Sequence, residues 1–368
     1  MAKHREIYND IYRKISSGAY KPGDKIPTGN ELCKKYGVSR ITALRAMNDL
    51  EAKGLLKKTA GRGTFISGDI KRTMPAFHLF ISGYRDLFYQ QMGRAYSRVL
   101  MENSALGAII QVQYNLEYLE KAVSQTLEAG TQGIALMHSG KAEDLKKFTE
   151  IANGAKDVPV IIVQRYLEGF SGYQLLVDEK EGGYIATKHL ISLGHKKLAY
   201  IGWFPENTYS ATLRFQGFKD ACKEAGIPEK NQVILSKDDL YTITKVKEVF
   251  KASGSPTAAV ASYEDEAIMA YELISSFDIK IPEDLAFVTI YGSIYSNATE
   301  VPFTSVDWPG KEIGEKLAET FLALNKGTGK IKDKIIWLSP TLKIRCSCGA
   351  NKNISRHEIL RHDMTNWR

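Results

Sequence analysis

The stretch from Pro27 to Gly68, PTGNELCKKYGVSRITALRAMNDLEAKGLLKKTAGRGTFISG, sets helix caps, a tight turn and a glycine-rich hairpin in an order that few folds accept. Thr28 and Glu31 make a Thr-x-x-Glu capping box directly after Pro27, which satisfies the orphan amides of a helix running to about Tyr36. Gly37 ends that helix. Ser39 then caps a second one, in which Ala43, Ala46, Met47 and Leu50 fall at the i, i+3, i+4, i+7 spacing of one buried stripe. Stepping about 100° per residue turns Ile41, Arg45 and Asn48 away from the stripe and leaves Arg40 in the first turn. Past Gly54, LLKKTAGRGTFIS reads as two short strands around a Gly61-Arg62-Gly63 tip. Helix, turn, helix and hairpin in this order make a winged helix-turn-helix.

The chemistry of that unit points to double-stranded DNA. Arginine offers guanine a bidentate fork and asparagine does the same for adenine, so Arg40, Arg45 and Asn48 are residue types that read sequence. Lys57, Lys58 and Arg62 on the hairpin suit phosphates or the minor groove. The expected DNA-contacting set is Thr28, Asn30, Ser39, Arg40, Ile41, Thr42, Arg45, Asn48, Lys57, Lys58, Arg62 and Gly63. Charge agrees: residues 1 to 72 hold 16 Lys and Arg against 7 Asp and Glu, a local +9, so the other 296 residues carry −1 of the chain's +8. Basicity confined to one small domain is the footprint of phosphate contact. A nucleotide loop at Gly61, Gly63 and Gly68 is the competing reading, but no buried-strand run precedes these glycines and no helix opens after them. A basic helix face alone is commonly just a solvated surface; here cap, turn, second helix and wing accompany it.

A chain of 368 residues, 43% hydrophobic, is long enough for two to three lobes and a sizeable core. It has no 18-residue apolar run, and MAKHREIYNDIYRK lacks the apolar region of a signal peptide, so the expectation is a cytoplasmic protein with no membrane partner. The four cysteines, Cys33, Cys222, Cys346 and Cys348, are too scattered for a disulfide framework and fit a reducing compartment, where the sequons at Asn297 and Asn353 carry no meaning. Cys346, Cys348, His357 and His362 match no standard zinc spacing; neither metal nor cofactor is expected.

A junction lies at SGDIKRTMP, Ser67 to Pro75, where periodicity lapses. The expected division is a DNA-binding domain over 1–70, a linker over 71–76, a second unit over 77–348 and a tail over 349–368. In the second unit AFHLFISG, GAIIQVQ, GIALMH, PVIIVQ and YQLLVD are short apolar runs, with amphipathic stretches from Phe88 to Asn103 and Leu116 to Glu128 between the first three. A long helix from Lys180 to Leu193 precedes LAYIGW, and TAAVAS, LAFVTIY, KIIWLSP and LKIRCS continue the pattern. Buried strands separated by helices imply an α/β body of two doubly wound parallel sheets, with a ligand cleft at the carboxyl ends of the strands. The phosphate loop, the G-x-S-x-G elbow and the H-E-x-x-H pair are all missing, and the seven histidines do not cluster with carboxylates. His189 and His195 read as structural or surface residues. The body is therefore expected not to be an enzyme, although an enzyme fused to a DNA-binding head and an architectural binder whose body only dimerises both stay open.

IPTGNEL, GVSRITALRAM and GRGTFIS resemble the opening, recognition helix and wing of the GntR family, over about residues 5 to 68. Asn30 stands where that family often has arginine, and Leu44 replaces its second recognition-helix arginine, with Arg45 one place later. VPVIIVQR, VDEKEGGYIATKHLISLGHKKLAYIG, TLRFQGFKDACKEAGI, SPTAAVASYEDEAIMAYELI, IPEDLAFVTIYG, FTSVDWPGKEIG and LKIRCSCG resemble the effector domain of the LacI/GalR family, of periplasmic-binding-protein-like fold, from about Ala76 to Cys348. A GntR-type head on a LacI-type body is the arrangement of arabinose-type repressors. The resemblance implies a homodimeric repressor of carbohydrate genes, released from operator DNA when a sugar or sugar derivative closes the cleft; a ligand-activated corepressor or activator is the alternative. It also implies a ligand set of Phe88, Tyr89, Gln164, Arg165, Arg214, Glu264, Tyr291 and Trp308, with Glu264 and Asp265 in place of an Asn-Asp pair. Tyr291 stands where the family commonly has a sugar-holding aspartate, and Trp308 where it has glutamine. Chemically, Arg165, Arg214 and Glu264 suit vicinal hydroxyls, and Trp308, Phe88 or Tyr89 suit an apolar sugar face or ordinary core packing.

Overall fold

The computed structural model describes residues 3–16, 18–68, 74–82, 87–112, 115–137, 142–156, 158–202, 209–292, 296, 299–326 and 333–350. The head begins with a helix absent from the sequence reading, α1 (Lys3–Ser16), whose Ile7, Ile11 and Ile15 repeat every fourth residue and are buried. Helix α2 (Gly29–Tyr36) starts at the expected box: the Glu31 amide donates to Thr28 Oγ1 at 3.3 Å and the Thr28 amide to Glu31 Oε2 at 2.7 Å. It stops at Gly37 in the left-handed region, φ 59°. Helix α3 (Arg40–Ala52) opens with the Thr42 amide donating to Ser39 Oγ at 3.3 Å. Its buried stripe is Ala43, Ala46, Met47 and Leu50, which joins the α1 isoleucines, Leu32, Leu56 and Ile66 in one small core. Each large aliphatic side chain buried there contributes about 1.5–3 kcal/mol. Strands β1 (Leu56–Thr59) and β2 (Gly63–Ile66) pair antiparallel with Leu56 opposite Ile66, and the Lys25 backbone bridges Phe65. The Lys25 side chain crosses Gly63 (φ 115°), where a Cβ would lie 2.7 Å from Lys25 Cε.

The body starts at β3 (Ala76–Ile81), one residue inside the expected linker. Helix α4 (Leu87–Glu102), β4 (Leu106–Gln111), α5 (Leu116–Glu128), β5 (Gly133–Met137), α6 (Leu145–Gly154), β6 (Val160–Val163) and β7 (Tyr173–Val177) follow, so the five anticipated strands precede the long helix α7 (Glu179–Ser192). Then come β8 (Leu198–Gly202), α8 (Tyr209–Glu224), β9 (Gln232–Ser236), α9 (Lys237–Leu240), α10 (Ile243–Lys251), β10 (Ala258–Ala261), α11 (Glu264–Ser275), β11 (Ala286–Ile290) and β12 (Thr304–Asp307). The last elements are α12 (Gly310–Lys326), β13 (Ile335–Leu338) and β14 (Thr341–Lys343).

Two six-stranded sheets result, ordered β13-β7-β6-β5-β3-β4 and β14-β12-β11-β10-β8-β9. The first is parallel throughout; in the second, β14 runs antiparallel to β12, which the parallel expectation did not include. The chain crosses between the lobes after β7, between β12 and α12, and between β13 and β14. Helix α12 returns to the first lobe, where Phe321 stacks on Phe77 at 4.9 Å between ring centroids. Strand β13 returns with it to lie beside β7. Helices α7 and α8 pack so closely that a Cβ on Gly217 would lie 2.6 Å from the Tyr184 amide nitrogen, which is the physical use of the glycines in EGGYIATKHL and RFQGFKD. Three crossovers between two rigid sheets place the cleft residues on opposite sides of a hinge.

Candidate functional site

The α3 face opposite its buried stripe is open to solvent, with Ile41 80% exposed and Arg45 and Asn48 exposed beside it. The side chains of Arg40, Arg45, Lys57 and Arg62 are exposed and make no hydrogen bond or ion pair with any described residue. Asn30 is exposed in the first turn of α2. The hydroxyls of Thr28 and Ser39 act as caps, and Ser39 Oγ also lies 2.9 Å from Thr42 Oγ1. Lys58 departs from the bare cation expected: its Nζ lies 2.7 Å from Glu51 Oε2 and donates to Asn48 Oδ1 at 2.7 Å. The wing is thereby tied to α3, by an exposed pair that contributes about 0–1 kcal/mol and yields readily to a phosphate. The sequence reading also missed what clamps α1 to α2. Tyr36 donates its hydroxyl to Asp10, with Lys35 Nζ at 3.0 Å and Lys14 Nζ at 3.1 Å from the same carboxylate. Burial alone pushes the Asp10 pKa up, but the Tyr36, Lys35 and Lys14 hydrogen bonds outweigh it and hold it down to about 2. The isoleucine spacing of α1 was the available signal.

In the body, Phe88 and Tyr89 lie in the first turn of α4, Gln164 and Arg165 follow β6, Tyr291 follows β11, and Trp308 sits at the crossover after β12. The fold brings Tyr291 and Trp308 beside Arg214 of α8, and Tyr291 in turn meets Gln164 and Phe88, the latter packed on Tyr89. The Arg214 guanidinium carbon is 5.0 Å from the Trp308 ring centroid, 5.3 Å from that of Tyr291 and 5.8 Å from that of Tyr263, a cation in an aromatic cage. Its Nε donates to Glu179 Oε2 at 2.7 Å and its Nη1 to the Ser262 carbonyl at 2.8 Å. Both side chains of the pair are buried, 8% and 3% exposed. Burial disfavours the charged guanidinium, but the Glu179 carboxylate more than offsets it and the pKa rises. Arg214 Nη2 has no acceptor among the described residues.

Glu179 was not in the sequence-derived set, and it changes the role of Arg214. The arginine is a neutralised, oriented donor and not a bare charge. Glu264 has a protein partner that the sequence reading did not name: its Oε1 accepts from the Ser296 amide at 2.8 Å and from the Ser296 hydroxyl. Asp265 next to it is exposed. Arg165 is buried under the Tyr209 ring at 5.7 Å, and burial lowers its pKa. Phe88 meets Tyr89 at 5.3 Å and Tyr291 at 5.6 Å, both edge-on. Phe88 thus packs on neighbouring rings, the core-packing alternative that the sequence reading left open beside stacking. On the crossover side of this cluster lies a cavity of about 420 Å³, lined in part by Phe88, Gln91, Tyr291, Asp307, Trp308 and Lys343. Trp308 Nε1 is buried without an acceptor among the described residues. The arrangement offers oriented donors and flat apolar faces, the inventory of a small polar ligand's site.

His195 Nδ1 lies 2.9 Å from Thr257 Oγ1, a structural contact as expected. Cys348 is buried and accepts from Thr304 Oγ1 at 3.1 Å. Asn297, Asn353, His357, His362 and residues 351–368 of the tail lie outside the described residues. No helix among those described is long and apolar enough to cross a membrane.

Comparison with known proteins matches residues 3–66 to "Bacterial regulatory proteins, gntR family" and residues 187–348 to "Periplasmic binding protein-like domain". The chain is a GntR-type head on a periplasmic-binding-protein-like body. It is similar over its length to the arabinose metabolism transcriptional repressors of Halalkalibacterium halodurans, 26% identical with 95% of this chain and 98% of that protein covered, and of Geobacillus stearothermophilus, 26% identical with 94% and 98% covered. In fold it is similar to a LacI family regulator from Enterococcus faecium with bound ribose (TM-score 0.60, 21% identity, 74% of this chain and 98% of that one). The regulator CelR in complex with cellobiose is similar too (TM-score 0.61, 19% identity, 84% and 91%). With a GntR-type head and whole-length similarity to two transcriptional repressors, this chain is a DNA-binding transcriptional regulator.

Proposed function

We propose that this regulator represses carbohydrate-utilisation genes and leaves its operator when a sugar or sugar derivative enters the cleft between the two sheets. Residues 1–70 are the reader, with Arg40 and Arg45 at base edges and Lys57 and Arg62 at phosphates or the minor groove. Residues 71–76 link it to the effector-binding and dimerising body, 77–348. One observation carries the ligand reading: Arg214 is held by Glu179 and the Ser262 carbonyl with Nη2 left over, beside three aromatic rings of the second lobe, one of which, Tyr291, meets Phe88 of the first. Oriented donors beside flat apolar faces suit a ring that carries hydroxyls on its edge and C–H groups on its face. The two names shared with whole-length relatives, both arabinose metabolism repressors, support a sugar over a nucleobase. Closing the lobes about their three crossovers re-aims two paired bodies, and a coupling of about 1–3 kcal/mol changes operator affinity roughly 5- to 150-fold. A homodimer follows from the same economy of contact, because one small head makes too few for a specific site.

A thermal-shift series with pentoses, hexoses and disaccharides tests the reading. A ligand at 100 times its Kd adds about 2.7 kcal/mol to the body's stability. Arg165→Ala is expected to abolish the shift while the head still binds DNA; an unchanged shift removes Arg165 from the site.

A further inference from the structure

Two residues that are not glycine hold left-handed backbone where the strands end at the cleft. Gln164 (φ 71°) directly follows β6 of the first lobe, and Tyr291 (φ 71°) directly follows β11 of the second. Side chains other than glycine and asparagine rarely adopt this region, so the surroundings must hold both residues there. They hold each other: Gln164 Nε2 donates to Tyr291 Oη at 3.1 Å, a hydrogen bond from one lobe to the other. The Tyr291 ring continues the bridge. It meets Phe88 of the first lobe at 5.6 Å, and Tyr263 and Trp308 on its own side at 5.1 and 4.8 Å. Only 6% of it is exposed. Burial holds the phenol pKa well above its ordinary value, so at neutral pH it remains a hydroxyl.

A ligand that joins the two lobes needs just what Tyr291 already has: a hydroxyl within reach of the Gln164 amide and a flat face against aromatic rings beside Arg214. We propose that Tyr291 is a tethered competitor for the effector, so that a sugar enters by taking the Gln164 amide and the Phe88 face away from it. Tyr291 then sets both the affinity and the size of what the cleft admits. This rests on the reading that a sugar is the effector.

Full-length protein decides the matter in two arms. In the first, wild type, Tyr291→Phe and Gln164→Ala are titrated calorimetrically with L-arabinose, D-ribose, D-galactose and cellobiose, with circular dichroism and melting as the check on folding. Tyr291→Phe keeps the ring and deletes the competing hydroxyl, so the sugar that binds wild type should bind about 2- to 10-fold tighter, the worth of one net hydrogen bond. Gln164→Ala should bind it more weakly. Unchanged or weaker binding by Tyr291→Phe overturns the proposal. In the second arm, small-angle scattering of ligand-free protein should show a wider body for Tyr291→Ala than for wild type; superimposable curves overturn the bridge whatever the sugars do. If none of the four sugars binds wild type or Tyr291→Phe, the sugar reading fails, and the scattering arm still upholds or overturns the bridge by itself.

Discussion

Glu179→Ala takes away the only carboxylate in contact with Arg214 among the described residues and leaves the guanidinium with one carbonyl at 2.8 Å and three rings within 6 Å. Removing one member of a buried pair costs about 3–5 kcal/mol, because the remaining charge has no water to turn to. Each ring near the cation retains roughly 0.5–1 kcal/mol, which favours the lower end of that range. At about 2–4 °C per kcal/mol for a body of this size, a loss of about 3 kcal/mol lowers its Tm by about 6 to 12 °C. Calorimetric melting of Glu179→Ala, Arg214→Met and the double variant completes a cycle. The double variant leaves neither charge of this pair and should melt above Glu179→Ala. The reasoning is refuted if Glu179→Ala melts within about 2 °C of wild type, or if the double variant is less stable than the two single losses together imply.

Arg40→Ala should cost about 1–3 kcal/mol on the operator and relax preference at one base position, whereas Lys57→Ala should weaken specific and random DNA alike and lower the salt slope by about one; equal losses on both DNAs for Arg40→Ala would contradict its role. Asp10 supplies a pH test: its folded pKa, about 2, lies below the ordinary aspartate value of about 3.9. A carboxylate depressed in this way contributes stability that is complete above the unfolded value and lost as pH falls through the folded one. Hydrogen exchange of the α1 and α2 amides should therefore quicken between about pH 4 and pH 2 beyond its intrinsic pH dependence, and Asp10→Asn should remove that step.

What the sequence made legible was local. The caps at Thr28 and Ser39, the stop at Gly37 and the Gly61-Arg62-Gly63 tip each act within a few residues, and α2, α3, β1 and β2 follow from them. Helix α1 escaped notice because Tyr8 and Tyr12 flank its isoleucines and no capping side chain announces its start. In the body, strands built of apolar runs stood out, while β9 (QVILS) and β12 (TSVD) are short and polar at their ends. That β13 leaves the second lobe's run to pair with β7 is a long-range choice that no window of residues contains. The site divides in the same way. Gln164, Arg214, Tyr291 and Trp308 could be named from the segments that carry them. The partners that fix their roles lie far away in the chain, Glu179 at 35 residues from Arg214 and Ser296 at 32 from Glu264, and only the fold joins them. Glu179 by itself reads as an acid in a helix's first turn, favoured there for its dipole.

The most direct measurement is the affinity of full-length protein for its own promoter DNA at about 150 mM salt, by fluorescence anisotropy, with and without the sugar that raises its melting temperature. The account predicts tight, sequence-dependent binding that falls at least fivefold when the sugar is added. Binding that ignores promoter sequence, or that the sugar leaves unchanged, would contradict it.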